Sequence, residues 1–148
     1  MNWHVKSFQE LTNDELFALM KLRVNIFVVE QACAYSELDD YDRQALHYFA
    51  EDDGDIVANV RLLPRDTAFK EPSIGRVVVA PEYRGGGYGR RIMQKAMHYI
   101  AGQWHEPVIK LSAQTHLKSF YGELDFRQLS DAYLDSGISH VDMIWEQK

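Results

Sequence analysis

The chain is short of positive charge and nearly devoid of cysteine. Sixteen Lys and Arg stand against 22 Asp and Glu, a formal net charge of -6. That acidic balance argues against a nucleic-acid or membrane-surface role, because both partners demand positive potential. A single cysteine in 148 residues, Cys33, excludes an internal disulfide. It suits a reducing cytoplasm, which is the expected location. No apolar run approaches the roughly 20 residues of a membrane span. The opening MNWHVKSFQE lacks the apolar core of a signal peptide. Repeats, low-complexity tracts and Pro/Ser-rich linkers are also missing. The nearest approach to a linker, PRDTAFKEPS at 64–73, reads as a long loop. The six histidines show no helical ligand spacing backed by a third ligand, so no metal is expected.

What is present is an ordinary globular balance, 46% hydrophobic and 26% charged, fitting one domain over 1–148. Residues 2–8 alternate weakly, as an edge strand would. Thr12 followed by Glu15 forms a capping-box signature, and Leu11 with Leu16 is spaced as a hydrophobic staple. Leu16, Leu19, Met20 and Phe27 then fit one helical stripe. Residues 30–44 lack periodicity and read as irregular with one short helix. ALHYFAE and IVANVRLLP flank Asp53-Gly54, a hairpin with a type I′ turn. A third strand spans about 74–80. A helix follows, with Ile92, Met93, Ala96, Met97 and Ile100 on one face. PVIKLSA is a strand, THLKSFYGEL a short helix, and strands near 126–133 and 139–146 flank a DSG turn. This order predicts a mixed α/β domain, with a largely antiparallel central sheet flanked by helices and one parallel crossover over 74–112.

The densest signal is RVVVAPEYRGGGYGRRIMQKAM, from Arg76 to Met97. Arg90 and Arg91 occupy the first turn of a helix, where the dipole disfavours cations. An anion docked on the unpaired N–H groups reverses that argument, and glycines let a pyrophosphate approach the backbone. A dinucleotide fingerprint fails, since Arg90 stands at the third glycine position and no acid ends the next strand. A phosphate loop fails for want of Gly-Lys-Ser/Thr. Arg84-x-x-Gly87-x-Gly89, set between a strand and a helix, is what remains. The alternative is a glycine-rich turn with unrelated arginines.

That R-x-x-G-x-G, in its place among the elements, resembles the GNAT superfamily of N-acetyltransferases. QTHLKSFYGELDF, from Gln114 to Phe126, resembles the family's second signature, N-x-x-A-x-x-x-Y-x-x-x-G-F. Tyr121 and Phe126 match; Gln114, Leu117 and Asp125 depart. Asp tolerates the left-handed conformation common at the glycine position. The resemblance implies acetyl-coenzyme A as co-substrate. Its pyrophosphate would lie on Arg84, Gly85, Gly86, Gly87, Tyr88, Gly89 and Arg90. Its pantetheine arm would lie along Val77, Val78 and Val79, with Gln114 in contact. Tyr121 would assist the departing thiolate as general acid; the alternative is a core tyrosine beside Phe120.

LRVNIFVVEQACAYSELDDYD at 22–42, HLKSFY and GISHVDM resemble the ElaA-like bacterial branch of the family, so the likeness spans nearly the whole chain. In this fold the N-terminal helical region covers the acceptor pocket. Glu30, Glu37, Asp39, Asp40 and Asp42 would make its mouth acidic and select a cationic amine; the alternative is a solvated acidic loop. Arg23 and Phe27 lie on the preceding helix, Arg23 positioned to pair with one of these acids. His47 and His140 are candidates to face the cleft and take a proton from the ammonium, against the alternative of structural histidines. His98 and His105 are expected on the surface. Cys33 is expected to be a small buried hydrophobe, which leaves direct transfer without an acetyl-enzyme. The expected function is acetyl transfer to a primary amine of a small molecule or peptide. Two rivals stand beside it: an acyl-homoserine-lactone-synthase-like acyltransferase, and a non-catalytic acetyl-coenzyme A-binding module. No nucleic-acid or membrane partner is expected, and a homodimer is left open.

Overall fold

Thr12 caps the first helix as its spacing predicts. Its hydroxyl accepts from the Glu15 N–H at 3.0 Å, and the Glu15 carboxylate accepts from the Thr12 N–H at 2.9 Å. In the computed structural model, which describes residues 1–148, this helix α1 covers Asn13–Val24. It then continues as a π-helical turn over Asn25–Glu30. Leu19, Arg23 and Ile26 are buried, whereas Leu16, Met20 and Phe27 are only partly so. The buried stripe therefore carries an arginine at its centre, which an apolar pattern cannot anticipate.

Eight strands form one sheet: β1 (Asn2–Ser7), β2 (Leu46–Asp52), β3 (Asp55–Leu63), β4 (Ser73–Val79), β5 (Val108–Gln114), β6 (Arg127–Gln128), β7 (Tyr133–Asp135) and β8 (Ile138–Glu146). Their order is β1-β2-β3-β4-β5-β8-β6, with β7 also on β8. Only β4 and β5 run parallel; the other pairs are antiparallel. Positive φ at Asp53 (51°) and Gly54 (84°) gives the expected hairpin turn. The strand expected near 126–133 is instead broken into β6 and β7. Between them the Ser130 hydroxyl, not a backbone carbonyl, accepts the Asp142 N–H at 2.9 Å.

Helix α2 (Tyr88–Gly102) packs Ile92, Met93, Ala96 and Ile100 on one sheet face, all fully buried. Each large aliphatic there contributes about 1.5–3 kcal/mol. Helix α3 (Lys118–Gly122) is short and closes the same core through Tyr121. On the other face, Leu19 of α1 meets Phe49 and Ile56. His98 and His105 are exposed. No helix is long and apolar enough to cross a membrane.

Two irregularities of β4 open the middle of the sheet. Asn59 pairs with Val78 but Arg61 pairs with Gly75, so Arg76 and Val77 together oppose Val60. This is a β-bulge, and Arg76 takes φ 53° within it. On its other edge β4 pairs with β5 only at Ser73↔Lys110. Beyond that point the two strands separate.

Candidate functional site

The separation of β4 and β5 opens a cavity of about 490 Å³. Ile74 to Val79 of β4 form one wall, and Ser112 and Gln114 of β5 stand opposite with Phe120 and Tyr121 of α3. Phe27, Glu30, Gln31, Cys33 and Tyr35 cover it from the N-terminal segment. Asp135, Ser136 and His140 close the far end from the β7–β8 hairpin. Because the strands diverge, the edge of β4 over Val77, Val78 and Val79 has no ladder partner on this side. Its backbone groups can hydrogen-bond an extended ligand.

A second cavity of about 240 Å³ lies at the glycine turn, lined by Arg84, Gly85, Gly87, Tyr88 and Arg90 among others. Both cavities share Val79, Arg84, Gly89 and Phe120, so one leads into the other. Gly87 is the N-cap of α2 in the left-handed region, φ 78°, and no side chain caps this helix. Gly85 is also left-handed, φ 83°. A side chain at Gly87 would strain the backbone, and the first N–H groups of α2 are left for an external acceptor. Uncapped amides, the helix dipole and a guanidinium at one turn form an anion site. The arginines divide the work. Arg84 faces both cavities. Arg90 lines the smaller one and reaches Glu123 at 3.4 Å. Arg91 turns away, its guanidinium over the rings of Trp3 and Tyr88 at 5.4 and 5.3 Å.

Tyr121 is 7% exposed and lines the main cavity. Burial alone pushes its phenol up to about 12, so it is a proton donor at neutral pH. Gln114 lines the cavity too, its amide donating to Gln31 Oε1 at 3.1 Å. The residue after the α3 turn, Asp125, takes φ 71°, as its place in the signature requires. His140 faces the cavity from β8. Its Nδ1 lies 2.7 Å from the Ile138 carbonyl, which can only accept. Nδ1 is therefore the donor, and Nε2 carries the lone pair in the neutral ring. Tyr133 stacks on the imidazole with centroids 6.1 Å apart.

Of the five carboxylates expected at an acidic mouth, only Glu30 lines the cavity; Glu37, Asp39, Asp40 and Asp42 do not. Arg23, fully buried, donates to Glu37 Oε2 and Asp42 Oδ1, each at 2.7 Å. Arg61 reaches Asp39 at 2.7 Å and Asp42 at 3.1 Å. Arg76 reaches Glu37 Oε2 at 2.8 Å and Asp39 Oδ2 at 3.4 Å. Three guanidinium groups thus neutralise three carboxylates. Burial alone would raise the Asp42 carboxyl, but Arg23 and Arg61 hold it below the usual range. Arg23 accordingly pairs with the acids and does not face an acceptor. His47 is corrected in the same way. It is fully buried, its Nε2 lies 3.0 Å from the Asp42 carbonyl, and burial holds its pKa down. Phe27 and Glu30 do line the cavity.

Sequence reasoning passed over Arg76, Tyr35 and Asp135, which all line the cavity. Arg76 sits in a strand motif and reaches the site only through the bulge. Tyr35 hydrogen-bonds Glu37 and lies under the Arg76 guanidinium at 5.7 Å. Asp135 ends β7 just before the Ser136-Gly137 turn, and its DSG stretch signals only a turn. Cys33 is buried as expected, and it also lines the cavity, its thiol donating to the Ser136 carbonyl at 3.3 Å.

Comparison with known proteins gives a consistent result. The model of the acetyltransferase (GNAT) domain family matches residues 15–147. ElaA of Escherichia coli is 32% identical over 148 residues, covering 99% of this chain and 97% of that one. Its crystal structure superposes with a TM-score of 0.91. An acyl-CoA N-acyltransferase from Pseudomonas aeruginosa is 37% identical, with TM-score 0.91 and 97% of each chain covered. BjaI, a CoA-dependent acyl-homoserine lactone synthase, shares the fold at 18% identity, TM-score 0.82, over 99% of this chain and 83% of its own.

Proposed function

The chain belongs to the GNAT acetyltransferase family, and from that premise we propose that it is an acetyl-coenzyme A-dependent N-acetyltransferase acting on a primary amine of a small molecule or peptide. One observation carries the reading. The uncapped glycine turn, built for an anion, opens into the cavity that Tyr121 and His140 both line.

The residues fit the coenzyme. Gly85 to Arg90 offer N–H groups and Arg84 a guanidinium to its pyrophosphate. The free edge of β4 at Val77 to Val79 suits the amides of its pantetheine arm, with Gln114 across the gap. The coenzyme supplies an acyl thioester. The β4 amides polarise its carbonyl, and the cavity holds amine and thioester as neighbours. His140 Nε2 takes a proton from the acceptor ammonium. The amine nitrogen then attacks the carbonyl carbon, the C–S bond breaks, Tyr121 gives its proton to the departing sulfur, and the nitrogen sheds its second proton, which restores the phenol and leaves the neutral amide. No acyl-enzyme is needed. Cys33 already donates its thiol hydrogen to Ser136 and has no assisting base among its hydrogen-bond partners.

A second reading, transfer of a longer acyl group, is favoured by the apolar lining of the cavity at Ile26, Phe27, Ile74, Phe120 and Ile138. Free-thiol release from acetyl-, butyryl- and octanoyl-coenzyme A across a panel of amines tests both. The reading expects acetyl-coenzyme A to be consumed fastest. Preference for octanoyl-coenzyme A selects the second reading, and coenzyme binding without thiol release from any donor selects a binding module.

A further inference from the structure

Glu30 and Asp135 are the two carboxylates that line the main cavity. They differ in what they hold. Asp135 has no cationic partner; it accepts only from the Ser136 hydroxyl at 3.4 Å. Glu30 is engaged by Arg84 through two parallel bonds, Nη1 to Oε1 at 2.5 Å and Nη2 to Oε2 at 2.9 Å. The third Arg84 bond runs from Nε to the Val79 carbonyl at 3.2 Å. The fork that would meet an anion at the glycine turn is therefore filled by a carboxylate from the segment covering the acceptor cavity.

Both side chains of this pair are 43% exposed. An ion pair in that setting is weakly held and exchangeable. A pyrophosphate brings two charges and several acceptor oxygens, on a turn that also offers it uncapped amides. It outcompetes one carboxylate, and like charges cannot share the fork without repulsion. Arg76, the other arginine on the cavity, is already neutralised by Glu37 and Asp39. Once Arg84 turns to the pyrophosphate, Glu30 and Asp135 are left without a partner cation.

We propose that coenzyme binding draws Arg84 off Glu30 and so unmasks Glu30 as the carboxylate that, with Asp135, holds a cationic group of the acceptor. This rests on the reading that the glycine turn holds the coenzyme pyrophosphate. The acceptor is then a cationic amine that binds after the coenzyme. An amine with a neighbouring carboxylate is a poor substrate. Linkage makes the effect reciprocal: a cation in the cavity tightens coenzyme binding by the factor by which coenzyme tightens the cation.

The test is calorimetric titration of coenzyme A into the wild type and Glu30→Gln, each with and without 1,4-diaminobutane as the cation probe at matched ionic strength. Glu30→Gln should bind coenzyme A about two- to fivefold more tightly than the wild type. The diamine should tighten coenzyme A binding to the wild type and leave Glu30→Gln unchanged; Asp135→Asn should weaken the effect. Equal coenzyme affinity in wild type and Glu30→Gln overturns the exchange, as does a diamine effect that is absent or survives in Glu30→Gln. A wild type that binds no coenzyme A at any salt removes the proposed function itself, an outcome distinct from equal affinities. Matching thermal unfolding of the two proteins establishes that the variant is folded.

Discussion

Two arginine–carboxylate clusters draw their acids from one short segment, residues 30–42, and behave as opposites. The first joins Arg23, Arg61 and Arg76 to Glu37, Asp39 and Asp42, with Arg23 fully buried and Glu37 3% exposed. The second is Arg84 with Glu30, nearly half exposed at the mouth of the cleft. The chemistry is the same, and burial decides the role. Charges taken out of water cannot release one partner without leaving the other unsolvated, so the first cluster is a fixed frame. Charges that water can reach exchange partners at little cost, so the second can take a ligand. An acidic sequence segment is not an acidic surface until its cations have been counted.

Breaking the frame should have the largest effect. Arg23→Ala strips one of two guanidinium partners from each of two buried carboxylates, Glu37 and Asp42, and should cost about 3 kcal/mol of stability. Chemical denaturation would measure this, and a loss below about 1 kcal/mol would show that the acids are solvated. Tyr121→Phe should act in the opposite way. It keeps the ring in the core, leaves the melting temperature and coenzyme affinity nearly unchanged, and lowers turnover by about 10²- to 10⁴-fold where chemistry is rate-limiting. Stopped-time thiol assays set against coenzyme titrations separate the two quantities. Wild-type turnover would return the residue to the core alone.

Smaller effects sharpen the contrast. Arg84→Ala removes an exposed side chain, so its stability should stay within about 1 kcal/mol of the wild type. Coenzyme affinity should fall by about tenfold and depend less steeply on salt. Acidification should reach the frame through His47. Burial lowers its pKa from the ordinary 6.5, so the unfolded chain takes up that proton first. Stability is then complete above about pH 6.5 and falls as pH drops toward the lowered folded value. The slope is at most about 1.4 kcal/mol per pH unit. Asp42, also held low, adds its own loss below its ordinary 3.8. Denaturation midpoints against pH should be flatter below about pH 6.5 in His47→Gln than in the wild type.

The parts of the site legible in the sequence are those built from neighbours along the chain. Arg84 to Arg90 form the turn by themselves, and the strand before and helix after them follow from local pattern. The spacing from Gln114 to Phe126 likewise fits one strand end and one short helix, down to the left-handed Asp125. What was not legible depends on contacts between distant segments. The bulge at Arg76 exists only in the pairing of β4 with β3. The neutralisation of Asp39 and Asp42 needs arginines from α1, β3 and β4 at once. The pairing of Arg23 with the acids is legible because it lies on the adjoining helix, whereas Arg61 and Arg76, 22 and 37 positions from Asp39, give no such cue. The break between β6 and β7 turns on one hydroxyl, Ser130, replacing a carbonyl.

The central claim is that the uncapped turn at the start of α2 holds the coenzyme pyrophosphate. Calorimetric titration of coenzyme A into the wild type and Gly87→Val tests it most directly. Gly87 takes φ 78°, and an ideal Cβ there meets nothing within 4 Å, so the substitution strains the turn without crowding the core. The account predicts saturable binding to the wild type and its loss in a Gly87→Val protein that still unfolds cooperatively. Unchanged affinity in that folded variant would contradict the account.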